Sequence, residues 1–312
     1  MSNKNISTED TGEFRLDVPF SFEEDESSSA RVELDIGVAT HAGNVRPTNE
    51  DAYIIYQMGR YWEHLRSSLQ EGEVPQRIDE RTYVMAVADG IGGRKGGEVA
   101  SNLALRIIVK LILKTGKYAA KLDNPETREE EIDAAMKRAQ AFFERADQEL
   151  VQYAQQYPAL KGMGTTLTAA YVFGNDLFTM HVGDSRVYML RGGSLFRLTK
   201  DQTIAQQLVD RGAFTAEQGD KHYFRHTLTS CLGGEGGKVD MEIQHYELYD
   251  RDILLVCTDG LTEMVPESDI ASVLQKNLPA QEACNHLLQK ALDAGGKDNV
   301  TVIVCSYALP QK

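Results

Sequence analysis

Thr82-Tyr83-Val84-Met85-Ala86-Val87-Ala88-Asp89-Gly90 is apolar from Tyr83 to Ala88 and then stops on a carboxylate. A short apolar run bounded by a turn signal reads as a buried strand. Two other segments repeat the arrangement: LFTMHVGD ends on Asp184 and DILLVCTD ends on Asp259. An isolated Asp-Gly is ordinarily just a turn, because both residues tolerate bent backbone. Here, however, Asn49-Glu50-Asp51 also precedes a strand-like run and Asp298-Asn299 precedes another. The recurrence predicts several carboxylates converging at one sheet edge.

Working outward, VELDIGVAT and DAYIIYQ join TYVMAVADG as three strands ahead of the first helix. Residues 97–115 and 129–157 carry helical periodicity, the second through Ile132, Met136, Ala139, Phe143, Ala146 and Leu150. The runs TTLTAAYVFG, DLFTMHVGDS, RVYMLRGG and SLFRLTKD follow, with Gly174-Asn175 and Gly192-Gly193 suited to hairpin turns, and they read as one antiparallel meander. Residues 203–238 are irregular around one short helix, IAQQLVDRG. Three more strand-like runs, VDMEIQHYEL, DILLVCTDG and NVTVIVCSYAL, close the chain around two helices. Strand blocks separated by helix pairs indicate an α+β fold with antiparallel sheets covered by helices. Neither an internal repeat nor a Pro-rich or Gly/Ser-rich linker is present, so residues 31–312 read as one domain.

The 312 residues are 42% hydrophobic and 26% charged, an ordinary globular composition. Residues 1–30 hold eight acids against two bases and read as an acidic, disordered tail. The net charge of −14 repels nucleic acid and anionic membrane surfaces. The longest apolar stretch, LALRIIVKLIL, is broken by Arg106 and Lys110, short of the roughly 20 residues of a membrane span. No secretory pattern opens the chain, and Cys231, Cys257, Cys284 and Cys305 form no CxxC pair. They read as buried free thiols, and the expectation is a cytoplasmic monomer.

Clustered carboxylates cannot all ionise near neutrality without cations. With no His or Cys at ligand spacing among them, the expected ions are Mg²⁺ or Mn²⁺ and not zinc. The order of motifs then becomes specific: Arg46-Pro-Thr-Asn-Glu50-Asp51, Val87-Ala-Asp89-Gly90-Ile-Gly-Gly93, Gly164-Thr-Thr166, Gly183-Asp184-Ser-Arg186, Thr258-Asp259-Gly260 and Lys297-Asp298-Asn299. Across residues 33–308 this resembles the metal-dependent type 2C Ser/Thr protein phosphatases, in their bacterial branch. The resemblance implies a four-layer αββα sandwich: two antiparallel sheets flanked by antiparallel helix pairs, with a flap at about 203–238. It further implies that Asp89 bridges two metals, that the Gly90 carbonyl binds the first, and that Asp259 and Asp298 bind the second. Glu50 and Asp51 would complete the inner and water shells, Asp184 would hold a third, weaker ion, and Arg46 would grip the substrate phosphate. The implied activity is hydrolysis of phosphoserine and phosphothreonine in proteins by a metal-activated water, opposing a Ser/Thr kinase. Two departures stand out. Ile91 occupies a position where eukaryotic members often carry histidine, and Gln202 stands where the family often has histidine.

Other readings fare worse. A cysteine phosphatase needs Cys-x5-Arg, but the residues six after the four cysteines are Gly237, Glu263, Lys290 and Gln311. No GxxxxGK or GxSxG occurs. A catalytically weak phosphoprotein-binding module on the same fold would be expected to lack metal aspartates, and this chain keeps them all. His222 and His226 share i,i+4 spacing but lack the HExxH glutamate, so they read as non-ligands. His181, alternating with apolar residues, reads as a satisfied sheet histidine, and Arg186 as half of a structural ion pair.

Overall fold

The computed structural model describes residues 32–69, 73–92, 96–115, 122, 124–234 and 239–309. The acidic tail expected at residues 1–30 lies outside them. Five strands form the first sheet, in the order β1 (Glu33–His41), β12 (Val300–Ala308), β11 (Ile253–Cys257), β7 (Arg186–Arg191) and β8 (Ser194–Arg197). The second sheet runs β10 (Glu242–Glu247), β6 (Asp176–Val182), β5 (Leu167–Phe173), β3 (Arg77–Ile91) and β2 (Asp51–Glu63). The short strands β4 (Gly164–Thr165) and β9 (Leu232–Gly233) extend it at the Gly90 end of β3. Among the described residues every strand pairing is antiparallel.

Three apolar seams define the layers. Met85, Val87, Ala170, Val172 and Leu177 from the second sheet meet Val187, Leu254, Val256, Ile303 and Cys305 from the first, all buried. Each large side chain in this seam contributes roughly 1.5–3 kcal/mol by leaving water. The outer face of the second sheet is covered by α1 (Gly96–Thr115) and α2 (Arg128–Gln156), through Ala100, Ala104, Ile107, Phe143, Ala146 and Leu150. On the first sheet lie α6 (Glu267–Leu274) and α7 (Ala280–Asp293), which bury Ile270, Val273, Cys284 and Leu287. The result is the expected helix, sheet, sheet, helix sandwich. Among the described residues no helix is long and apolar enough to cross a membrane.

Two local readings need correction. The runs from 165 to 197 do not make one meander: β5 and β6 pair in the second sheet, whereas β7 and β8 pair in the first. The chain changes sheet at Gly183-Asp184-Ser185, because the seam-facing residues of β7 pack against β6's sheet instead of extending it. The flap also holds more helix than one segment. After α3 (Ile204–Asp210) comes α4 (Ala216–Asp220), started by a capping box in which Thr215 and Gln218 exchange side-chain bonds. A 3₁₀ turn follows at Tyr223–His226.

Candidate metal centre and active site

Antiparallel pairing brings strand ends that are distant in sequence to one rim of the sandwich. Asp51, at the start of β2, lies directly opposite Asp89, near the end of β3. Asp259 follows β11 as the first residue of α5 (Asp259–Thr262), and Asp298 stands two residues before β12, the neighbour of β11. Asp184 sits in the link between β6 and β7, whose first residue, Arg186, pairs with Cys257 of β11. All the aspartates singled out in the sequence therefore gather at this end, with Glu50 and Arg46 on the preceding loop.

Neutral side chains hold the carboxylates in place. Thr258 and Thr301 donate to Asp51 Oδ2 at 2.9 and 2.7 Å. The Asp89 amide donates to Thr166 Oγ1 at 2.9 Å, while its carbonyl accepts from the Thr166 amide and from Thr165 Oγ1. Asn299 fastens the loop that carries Arg46 and Glu50. Its Oδ1 accepts from the Glu50 amide at 2.7 Å, and its Nδ2 donates to the Ala42 and Thr48 carbonyls. Two glycine contacts permit the geometry. A Cβ on Gly97 would sit 2.4 Å from Glu50 Oε2 and 2.7 Å from the Gly90 carbonyl oxygen, so α1 can begin beside both only because that atom is absent. At Gly183, φ is +116° and a Cβ would strike the Thr166 side chain at 2.5 Å, so only glycine lets the chain turn into Asp184.

Electrostatics single out the same residues. Burial, followed by the charges of Asp51, Asp259, Asp184 and Asp298, holds Asp89 well above the usual carboxylate range. Asp259 is raised likewise by burial, Asp184, Glu263, Asp298 and Asp51. Asp51 is pushed up to about 7 by burial, against the opposing bonds from Thr301 and Thr258. Asp184 is pushed up to about 7 by burial and Asp201. Among the described residues, Asp51 Oδ1 and Asp259 Oδ1 are buried without a hydrogen-bond partner. A buried anionic oxygen without a donor is costly. An all-oxygen donor set of carboxylates and one carbonyl fits hard divalent cations, so the residues suit Mg²⁺ or Mn²⁺.

A family model described as protein phosphatase 2C matches residues 74–294. The chain belongs to the protein phosphatase 2C family. It is similar to the serine/threonine phosphatase stp of Listeria monocytogenes, with 34% identity over 77% of this chain and 90% of that protein. Among solved structures, the serine/threonine phosphatase of S. agalactiae matches with TM-score 0.69 and 26% identity, covering 88% of this chain and 99% of that one. The catalytic domain of PstP, solved in complex with two manganese ions, matches with TM-score 0.65 and 30% identity, covering 89% and 99%. This phosphatase is thus a metal-dependent Ser/Thr protein phosphatase of the 2C type.

The other residues of the phosphatase's rim and flap also have definite surroundings. Arg46 Nη2 donates to Asp298 Oδ2 at 2.7 Å, with the guanidinium side chain 56% exposed. Arg186 does not pair with the adjacent Asp184. It grips Asp201 with two bonds of 2.9 and 2.6 Å and donates to Tyr188, which in turn donates to Glu267 of α6. Gln202, at the departure from the family histidine, accepts from the Gly183 amide at 2.9 Å and donates to the Asp240 carbonyl at 2.6 Å. It thereby braces the loop bearing Asp184. His181 is fully buried between Thr168 Oγ1 and the Lys200 carbonyl, and burial pulls it down to about 4, so it is a neutral structural residue. None of the four cysteines is in a disulfide; Cys231 is half-buried and the other three are buried. Sequence reading quoted Thr258 and Asn299 within the motifs without giving them a supporting role, and missed Thr301, three residues past Asp298.

Proposed function

We propose that this phosphatase hydrolyses phosphoserine and phosphothreonine in proteins using two Mg²⁺ or Mn²⁺ ions, and that it opposes a cognate Ser/Thr kinase in a reducing cytoplasm. Residues 31–312 would be its catalytic domain. The observation that carries the reading is the pair of partnerless buried oxygens, Asp51 Oδ1 and Asp259 Oδ1, inside a cluster of five aspartates. Asp89, the Gly90 carbonyl, Asp259, Asp298, Glu50 and Asp51 would hold the two ions, and Asp184 a third, weaker one. When bound, such ions supply an activated water and neutralise charge on the phosphoryl oxygens.

The chain's own residues do the rest. Arg46 orients the phosphate with a planar fork that spans two oxygens, and its bond to Asp298 keeps that fork at the rim of the cluster. Ile91 offers no proton to the leaving alkoxide. The four unpaired cysteines support a reducing compartment. Purified full chain should cleave a phosphothreonine peptide in Mn²⁺ and stop when the metal is chelated; hydrolysis that survives chelation would overturn the reading. Arg46→Ala should raise KM for the peptide by about tenfold or more, since one charge-assisted bidentate contact is worth roughly 1.5–3 kcal/mol. Lysine should restore only part of the loss, and unchanged KM and phosphate inhibition would remove Arg46 from the phosphate site.

A further inference from the structure

His226, Asp259 and Glu263 each present one ligand atom, and these three atoms lie within 4.8 Å of one another. They come from two parts of the fold. His226 ends the 3₁₀ turn of the flap, whereas Asp259 opens α5 and Glu263 caps its far end. His226 Nδ1 is already in hydrogen-bonding contact with Glu263 Oε1. The second carboxylate belongs to the residue whose Oδ1 is buried without a partner. His222, four residues earlier, does not take part: its Nδ1 accepts from the Phe224 amide, and its ring makes tilted contacts with Phe214 and Phe224.

We propose that His226, Asp259 and Glu263 form an additional binding site, sharing Asp259 with the oxygen cluster, for a divalent transition metal of the zinc class, and that the bound ion fastens the flap to the catalytic end and inhibits turnover. One imidazole with two carboxylates is a borderline donor set that favours Zn²⁺ and its neighbours over Mg²⁺, which prefers oxygen and water. Three protein ligands also leave a tetrahedral ion one open position. The metal would take the place of the hydrogen bond between His226 Nδ1 and Glu263 Oε1, with the neutral imidazole keeping its proton on Nε2, and would bring a cation to two neighbouring carboxylates. Asp259 has two oxygens, so it links this site to the all-oxygen cluster. Fixing His226 also fixes Thr227, whose carbonyl accepts from the Ile204 amide at the start of α3, so the clamp reaches the base of the flap. Metal binding stands on the geometry alone; its inhibitory effect rests on the function proposed above.

The test is a calorimetric titration of ZnCl₂ into the full chain held in excess Mg²⁺, with Mn²⁺-dependent hydrolysis of p-nitrophenyl phosphate measured alongside. Wild type should bind one Zn²⁺ that Mg²⁺ does not displace. His226→Ala, His226→Asn and Glu263→Gln should each weaken it at least about tenfold, because even outer-shell changes cost 10–100-fold at metal sites. The same variants should blunt zinc inhibition, measured relative to each variant's own uninhibited rate. Co²⁺ bound in place of Zn²⁺ should show visible absorption bands that change in both His226 variants, a readout independent of turnover. Thermal melts identify any variant that is unfolded, and the second histidine variant covers that case. Zinc that binds all folded variants as tightly as wild type would lie in the oxygen cluster and overturn the proposal. Absence of zinc binding in an actively hydrolysing wild type would also overturn it while leaving the phosphatase reading intact. Binding that follows His226 and Glu263 in a chain that fails to hydrolyse the ester would support the metal site and count against the proposed function alone.

Discussion

Asp89→Asn should lower Mn²⁺-dependent turnover by at least about a thousandfold while leaving the fold intact. The substitution keeps the side-chain volume, and the bonds that fix this position use backbone atoms: the amide to Thr166 Oγ1, the carbonyl from Thr165 and Thr166. What it removes is the charge at the centre of the cluster, the carboxylate that feels Asp51, Asp259, Asp184 and Asp298 at once. Charge stabilisation by bound ions is worth several kcal/mol, and each 1.36 kcal/mol is a factor of ten in rate. Steady-state rates on p-nitrophenyl phosphate and circular dichroism of the same preparation check both halves. A folded variant that kept more than about a tenth of the wild-type rate would take Asp89 out of the metal centre. Relief of like-charge repulsion should also make the metal-free variant melt higher than metal-free wild type.

The second large effect concerns metal removal and pH. Asp51 and Asp184 are both pushed up to about 7 in the folded, metal-free chain, from an ordinary value of 3.8. Between those values the folded state holds protons that the unfolded state has released. Their contribution to stability is therefore complete below the ordinary carboxylate range and is lost as pH rises through about 7. Chelated protein should lose melting temperature from about pH 5 to about pH 8. Saturating Mn²⁺ reverses the balance, because it binds the ionised form and must displace protons at low pH. At about a hundred times its dissociation constant a ligand adds about 2.7 kcal/mol, or roughly 5–10 °C for a chain of this size. That gain should be near its full size at about pH 8 and small at about pH 5, as read by calorimetric melts with and without Mn²⁺. A gain independent of pH would mean that the aspartates are not the groups that bind the ion.

Much of this was written locally. The strands ending on Asp89, Asp184 and Asp259 are legible because an apolar run and a following carboxylate are adjacent in sequence, and the helices at 96–115 and 128–156 because their stripes repeat within a few turns. The second flap helix was legible too, since Thr215 and Gln218 spell a capping box, but a short polar segment gives no periodicity to draw attention to it. The change of sheet after Gly183 was not legible. Hairpin signals at Gly174 and Gly192 identify turns, yet β6 and β7 carry the same alternation whichever sheet they join.

What the sequence determined by itself is the chemistry: oxygen donors, an arginine fork and glycines where a Cβ would intrude, each fixed by residue type and immediate neighbours. What only the tertiary structure decided is which of these groups meet. Thr258 reaches Asp51 across 207 positions and Arg46 reaches Asp298 across 252, contacts that exist because β11 and β12 are neighbours and the strand ends share one rim. Arg186 chose Asp201 over the adjacent Asp184, and His226 chose Glu263 over its helical-spacing neighbour His222. Spacing along a chain constrains partners within one element. Between elements, the packing of two sheets and a flap sets the distances, and no local pattern encodes that packing.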